Sequence, residues 1–118
     1  MPERHNEDFW EYLDRLVDAS EVVIDRPKGS SHPEHADMVY PLDYGYLAGT
    51  TSSDGAGIDV WVGSAGIKHQ AKAVLCTVDL IKRDTEIKIL MGCTEDEMVT
   101  VANFINESSL GCMLLQRR

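Results

Sequence analysis

The chain reads as an α+β, mainly β domain: a small barrel-like sheet of short strands with a helix near each end. Three observations predict this. Runs rich in Val and Ile are separated by stretches rich in Gly, Pro and Ser, which is the punctuation of strands and turns. Apolar residues recur at spacings of three and four only near the two ends. The strands follow one another instead of alternating with helices, which argues against repeated βαβ units. At 118 residues, a single domain over 1–118 is the expectation.

Residues 6–18 are expected to be helical. Phe9, Trp10, Leu13, Leu16 and Val17 fall on one face, with Glu, Asp and Arg opposite. Asn6 or Asp8 suits the N-cap. The β-branched run EVVID at 21–25 predicts a strand, and RPKGSSHPEHAD at 26–37 predicts a loop. Residues 38–47 read as extended with a turn at Pro41 or Gly45, and AGTTSSDGAG at 48–57 as a second loop. IDVWV at 58–62 is a strand, and 63–70 a polar turn. Residues 72–79 and 84–91 read as a hairpin turning at 80–83. Residues 94–108 form a helix opened by a Thr94–Glu97 capping box, with Met98, Val101, Ala102 and Ile105 as its apolar stripe. A last strand is expected at 112–115.

Charge narrows the function. Asp and Glu number 20 against 11 Lys and Arg, a formal net charge of −9. That balance argues against a nucleic-acid partner and against a basic membrane-surface segment. No apolar run approaches the roughly 20 residues of a membrane span, and the first ten residues lack a secretory h-region. The three Cys, with no CxxC pair, suit a reducing compartment. A cytoplasmic location is the expectation.

The residues with most chemistry are aspartates beside loops. Asp54 sits in the Gly-rich loop, Asp59 at the start of the next strand, and Asp79 and Asp84 at the two ends of the predicted hairpin turn. Across a hairpin mouth the last two would stand opposite each other, Cβ atoms roughly 5 Å apart, where like charges repel. Two readings fit the spacing. Aspartate is favoured at turns and strand ends for its local hydrogen bonds. Equally, a carboxylate cluster without matching His or Cys suits Mg²⁺ or Mn²⁺ better than zinc.

Neighbouring motifs carry a resemblance. YPLDYGYLAGT at 40–50 runs without a gap towards DGAGIDV at 54–60, and VVIDRPKGS stands at 22–30. These segments resemble the YPxxYG, DGDPxDV and VIEIPKGS stretches of the family I soluble inorganic pyrophosphatases. Asp79 and Asp84 keep that family's step between its last two metal-binding aspartates. The resemblance spans about 21–91. It implies an OB-like five-stranded barrel with flanking helices, Mg²⁺-dependent hydrolysis of diphosphate (Mn²⁺ as a substitute), and a homo-oligomer. Carried over by position, it implies that Asp54, Asp59 and Asp84 hold the first metals and that Asp79 binds metal with the substrate. It implies that Tyr44 hydrogen-bonds near the phosphates, and that Asp25 stands where a family Glu orients metal-bound water. A metal-lowered water pKa and neutralised leaving-group charge are the physical basis of such chemistry.

The departures are as specific. Ala56 replaces the motif's middle aspartate, the group beside the nucleophilic water, and Gly57 replaces its Pro. The hairpin before the YP motif is largely missing, and with it the family's phosphate-binding Lys and Arg. Ser108 and Ser109 align with a Tyr-Lys pair. Arg26, Lys28 and Arg83 are the candidate substitutes for binding phosphate, with His32, His35, Lys82, Arg117 and Arg118 as further cations; each is otherwise an ordinary surface charge. His32-x-x-His35 would supply half of a zinc site. Asp43 is a turn residue or a substitute base. Three functions follow: diphosphate hydrolysis, hydrolysis of another phosphoanhydride, phosphoester or nucleotide in an opened site, or a metal-dependent phosphate or nucleotide sensor. Each has a small phosphorylated ligand.

Overall fold

Apolar periodicity at the N-terminus becomes α1 (Pro2–Asp18), the first element of a computed structural model that describes residues 2–67 and 70–117. Trp10, Leu13 and Val17 are its buried stripe, while Phe9 and Leu16 at the margins of that stripe each stay 38% exposed. The strands follow: β1 (Val22–Arg26), β2 (Asp43–Leu47), β3 (Ile58–Val62), β4 (Ala71–Asp79) and β5 (Asp84–Met91). The capped helix α2 (Glu95–Asn106) and β6 (Leu110–Gln116) close the chain. The capping box forms as the sequence predicts: Glu97 N donates to the Thr94 hydroxyl, and Thr94 N to the Glu97 carboxylate.

The strands form one mixed sheet in the order β1-β2-β3-β5-β4-β6. All pairs are antiparallel except β3 with β5. The fold class is the OB-like α+β one expected, with six strands where the resemblance implies five. The sheet does not close on itself. The C-terminal strand is the sixth, and it is longer than the sequence predicts because each residue of 110–116 finds a partner along β4.

Period-two alternation splits the core between the two faces of this sheet. Val60, Val62, Val74, Ile89 and Met91 pack under Trp10, Leu13 and Val17 of α1. Trp61, Ala73, Leu75 and Leu90 point the other way and pack with Met98, Val101 and Ile105 of α2. Along β5 this second face changes character. Leu90 lies in the α2 core, but Lys88, Glu86 and Asp84 share its parity and line a cleft. The cleft exists because the apolar half of the face is covered by α2 and the polar half runs past the helix end.

Residues 38–47 are extended with a turn, as expected: Val39 bridges to Ser31, the chain bends at Pro41–Leu42, and β2 follows. A short ladder precedes the bend: Gly29 N donates to Tyr40 O, Tyr40 N to Ser30 O and His32 N to Met38 O, each at 2.9 Å. Ser31 and Val39 form the isolated bridge of this miniature hairpin. Among the described residues, no helix is long and apolar enough to cross a membrane.

Candidate active site

The cleft has a volume of about 1060 Å³ and opens beside the β4–β5 turn. At this size it lies at the upper end of small-molecule sites, roughly 300–1,000 Å³. Asp25, Asp54, Asp59, Asp79, Asp84 and Glu86 line it, with Glu34, Asp37 and Glu107 further out. Arg26, Lys82 and Lys88 are its Lys and Arg groups, joined by His32 and His35.

Each aspartate arrives by a local mechanism. Asp79 and Asp84 are direct register partners at the hairpin mouth, as the alternation predicts. Asp79 Oδ1 also accepts from Ile81 N (2.9 Å) and Lys82 N (3.0 Å), so it shapes the turn as well as facing the cleft. Asp54 does the same in the 51–57 loop. Its Oδ1 accepts from Ser52 Oγ (2.8 Å) and Ala56 N (3.0 Å), and the following Gly55 takes a φ of +84°, open to Gly without strain. These contacts, the Ala56 N–H first, hold the Asp54 carboxyl below its ordinary range. Asp54 and Asp79 thus hold their own turns while lining the cleft.

Asp25 and Arg26 both line the cleft because a bulge interrupts β1 between Ile24 and Arg26, where two residues oppose one on β2. The Arg26 guanidinium donates to the Tyr40 hydroxyl and lies 5.5 Å from that ring's centroid. Tyr40, Tyr44, Trp61 and Phe104 form a contiguous aromatic wall, with centroids 4.6–5.7 Å apart. His32 extends it, stacked at 6.4 Å from Tyr40. Trp61 Nε1 is buried without a hydrogen-bond partner among the described residues.

Sequence reasoning missed Glu86 and Lys88. Lys88 is 6% exposed and donates to Asp59 Oδ2 at 2.6 Å. Its Nζ also lies 3.4 Å from the Tyr44 hydroxyl and 3.9 Å from Glu86 Oε2. Glu86 Oε1 accepts from the hydroxyls of Ser52 and Ser53, each at 3.3 Å, which ties the 51–57 loop to β5. Burial, opposed by Lys88 and reinforced by Asp54, Asp59 and Asp84, raises the Glu86 carboxyl above its ordinary value. Burial and the Asp59 carboxylate likewise push the Tyr44 hydroxyl well above its ordinary value, so Tyr44 stays a neutral donor.

The four aspartates share one cleft. Among the described residues, no group of three or more His, Cys, Asp or Glu is placed to hold a metal ion. The donor type suits Mg²⁺, and Asp59 Oδ2 also accepts from the Lys88 ammonium at 2.6 Å. The His32–His35 pair has ring centroids 5.1 Å apart, and among the described residues no further His, Cys, Asp or Glu joins it as a ligand group. Lys28 and Arg83 do not line the cleft. Lys28 lies in an exposed turn, where its backbone N–H donates to Asp43 Oδ1 (2.8 Å). That contact makes Asp43 a turn-holding residue outside the cleft. Arg83 sits at the hairpin tip with a φ of +59°. Arg117 is drawn to α1 instead, pairing with Asp14 at 2.9 Å and lying over Trp10. Arg118 lies outside the described residues.

No protein-family model matches the sequence, and no curated protein matches it. Solved structures do. One is an inorganic phosphatase from Anaplasma phagocytophilum, with a TM-score of 0.56 and 15% identity over 80% of this chain and 81% of that one. Another is the inorganic pyrophosphatase of Helicobacter pylori, with a TM-score of 0.56 and 18% identity over 82% of each chain. The chain has an inorganic-pyrophosphatase-like fold of OB type, divergent in sequence from both of these structures.

Proposed function

We propose that the chain hydrolyses a phosphoanhydride, with inorganic diphosphate in its Mg²⁺ or Mn²⁺ complex as the substrate. One observation carries this reading. A pyrophosphatase-like sheet brings Asp54, Asp59, Asp79, Asp84 and Tyr44, from separate strands and loops, to one cleft. Carboxylates there outnumber Lys and Arg. A bare tetra-anion would be repelled, whereas a diphosphate carrying its own divalent cation presents positive charge to the acidic wall. Arg26 and the neutral Tyr44 hydroxyl supply hydrogen-bond donors for phosphate oxygens. In this reading Asp25, exposed on the cleft wall beside Arg26, takes a proton from the attacking water, the part left open at Ala56.

The test is phosphate release from diphosphate by purified protein with Mg²⁺, with Mn²⁺ and with chelator. Turnover that needs the divalent cation and disappears in Asp54→Asn and Asp84→Asn is the expected result. No release at high protein concentration would overturn it.

The cleft itself favours a second reading. Its volume exceeds what diphosphate fills, and the half-buried rings of Tyr44 and Phe104 are part of its lining. An organic phosphate, such as a nucleotide, would use both. A panel of phosphoesters and nucleotides assayed beside diphosphate separates the two: faster release from a nucleotide would favour the larger substrate. Saturable calorimetric binding with no turnover on any compound would leave a sensor.

A further inference from the structure

Lys88 is a buried cation in a cleft rich in carboxylates. Long ammonium side chains ordinarily lay their stems along apolar surface and keep the charge in water. Here the side chain is only 7% exposed, in mid-β5, with Leu90 of the α2 core two residues on. An ammonium removed from water needs oxygens around it. It has them in Asp59 Oδ2 at 2.6 Å, the Tyr44 hydroxyl at 3.4 Å and Glu86 Oε2 at 3.9 Å. The Tyr44 ring adds its face, with a centroid 5.8 Å from Nζ. Two carboxylates and a phenol oxygen around one point of positive charge are the hard oxygen donors a divalent cation would otherwise attract. Mg²⁺ demands near-octahedral oxygens at about 2.0–2.1 Å. It cannot take Asp59 Oδ2 on those terms while the ammonium holds that oxygen.

We propose that Lys88 is a tethered resident cation. Its ammonium occupies the position between Asp59 and Glu86 and closes the inner half of the carboxylate cluster to divalent ions. A divalent ion entering the cleft is thereby confined to the outer aspartates, Asp54, Asp79 and Asp84. The inference does not depend on hydrolysis, and its readout is metal binding, so it can fail or stand separately from the proposed activity.

The experiment is a calorimetric titration of Mn²⁺ into the full chain, into Lys88→Met and into Lys88→Arg. Lys88→Met keeps a side chain of similar length and removes the charge. It should bind Mn²⁺ at least tenfold more tightly than the wild type, or bind one ion more, while Lys88→Arg behaves as the wild type. Equal affinity and stoichiometry in the wild type and Lys88→Met would overturn the proposal. If Lys88→Met is unfolded in metal-free buffer, circular dichroism during Mn²⁺ addition decides instead. Refolding shows the ion taking the place of the ammonium. A chain still unfolded at saturating Mn²⁺ overturns it.

Discussion

Lys88 and Asp59 form an ion pair at 2.6 Å, but the two partners are unequally buried, with side chains 7% and 26% exposed. The asymmetry makes the pair's two halves unequal in a mutational test. Breaking a buried pair by removing one partner costs about 3–5 kcal/mol, because the remaining charge is left without compensation. Asp59→Asn leaves the ammonium, the more deeply buried group, with the more distant Glu86 Oε2 at 3.9 Å as its carboxylate. Lys88→Met strands a carboxylate that reaches water, and the Met stem preserves most of the packing. Asp59→Asn is therefore expected to lower the unfolding free energy more than Lys88→Met, read from urea midpoints at constant m. Equal losses, or the reverse order, would mean that burial does not govern this pair.

The entry to α2 gives a pH-dependent prediction. The Glu97 carboxylate accepts from Thr94 N (2.8 Å), Ser64 N (3.1 Å) and Ser64 Oγ (3.2 Å), so it locks the helix cap to the turn after β3. Its partial burial acts against ionisation, but these hydrogen bonds prevail and hold the carboxyl below its ordinary 4.5. A depressed carboxylate contributes stability that is present above its unfolded pKa and lost as pH falls through the folded value. Glu97→Ala should thus cost about 1 kcal/mol at pH 7, the usual scale of a lost cap. The difference from the wild type should shrink below about pH 4. Paired thermal melts at the two pH values check this; a pH-independent difference would refute the linkage.

Gly45 gives a steric prediction. It pairs with Ile24 across the β1–β2 ladder, and a Cβ there would lie 1.8 Å from the Val23 carbonyl oxygen. The obstacle is backbone, so no side-chain rotation relieves it. Gly45→Ala should cost at least about 3 kcal/mol, the upper range of overpacking. Hydrogen exchange should show β1 losing protection. A normally stable Gly45→Ala protein would mean that β1 can shift without penalty.

How far the sequence announced this site depends on range. Asp79 and Asp84 were legible because strand alternation and a short turn fix their opposition. The cap at Thr94 was legible because its partners lie three residues apart. The same alternation held a signal for Lys88: Asp84, Glu86 and Lys88 share one parity, and Thr85, Ile87 and Ile89 share the other. It was missed because TEIKILM reads first as a buried strand in which a lysine looks like an edge charge. Lys28, Arg83 and Arg117 show the opposite limit. Charge alone does not say which way a side chain points, and Arg117 finds Asp14 across nearly the whole chain. The Asp59–Lys88 pair belongs to the same class, since the two meet only when β3 and β5 lie side by side.

Ala56 allows the proposed hydrolysis to be tested by gain instead of loss. It is an exposed residue on the cleft wall, and its contacts are through the backbone: N–H to Asp54 Oδ1 (3.0 Å), and C=O from Ser52 N (2.7 Å). A side chain added there leaves those bonds in place, so Ala56→Asp should change stability by no more than about 0.5 kcal/mol. The new carboxylate would stand in the loop beside Asp54, where the resembling motif carries its middle aspartate. General-base catalysis typically contributes about 10²–10⁴-fold. If the rest of the cleft is laid out for diphosphate, Ala56→Asp should raise cation-dependent phosphate release by about 10²-fold. It should do so chiefly in kcat, because the added group acts on the attacking water and not on the bound anion. A folded variant with no gain would mean that the loss at Ala56 accompanied a wider change of chemistry, and organic phosphates would become the substrates to pursue.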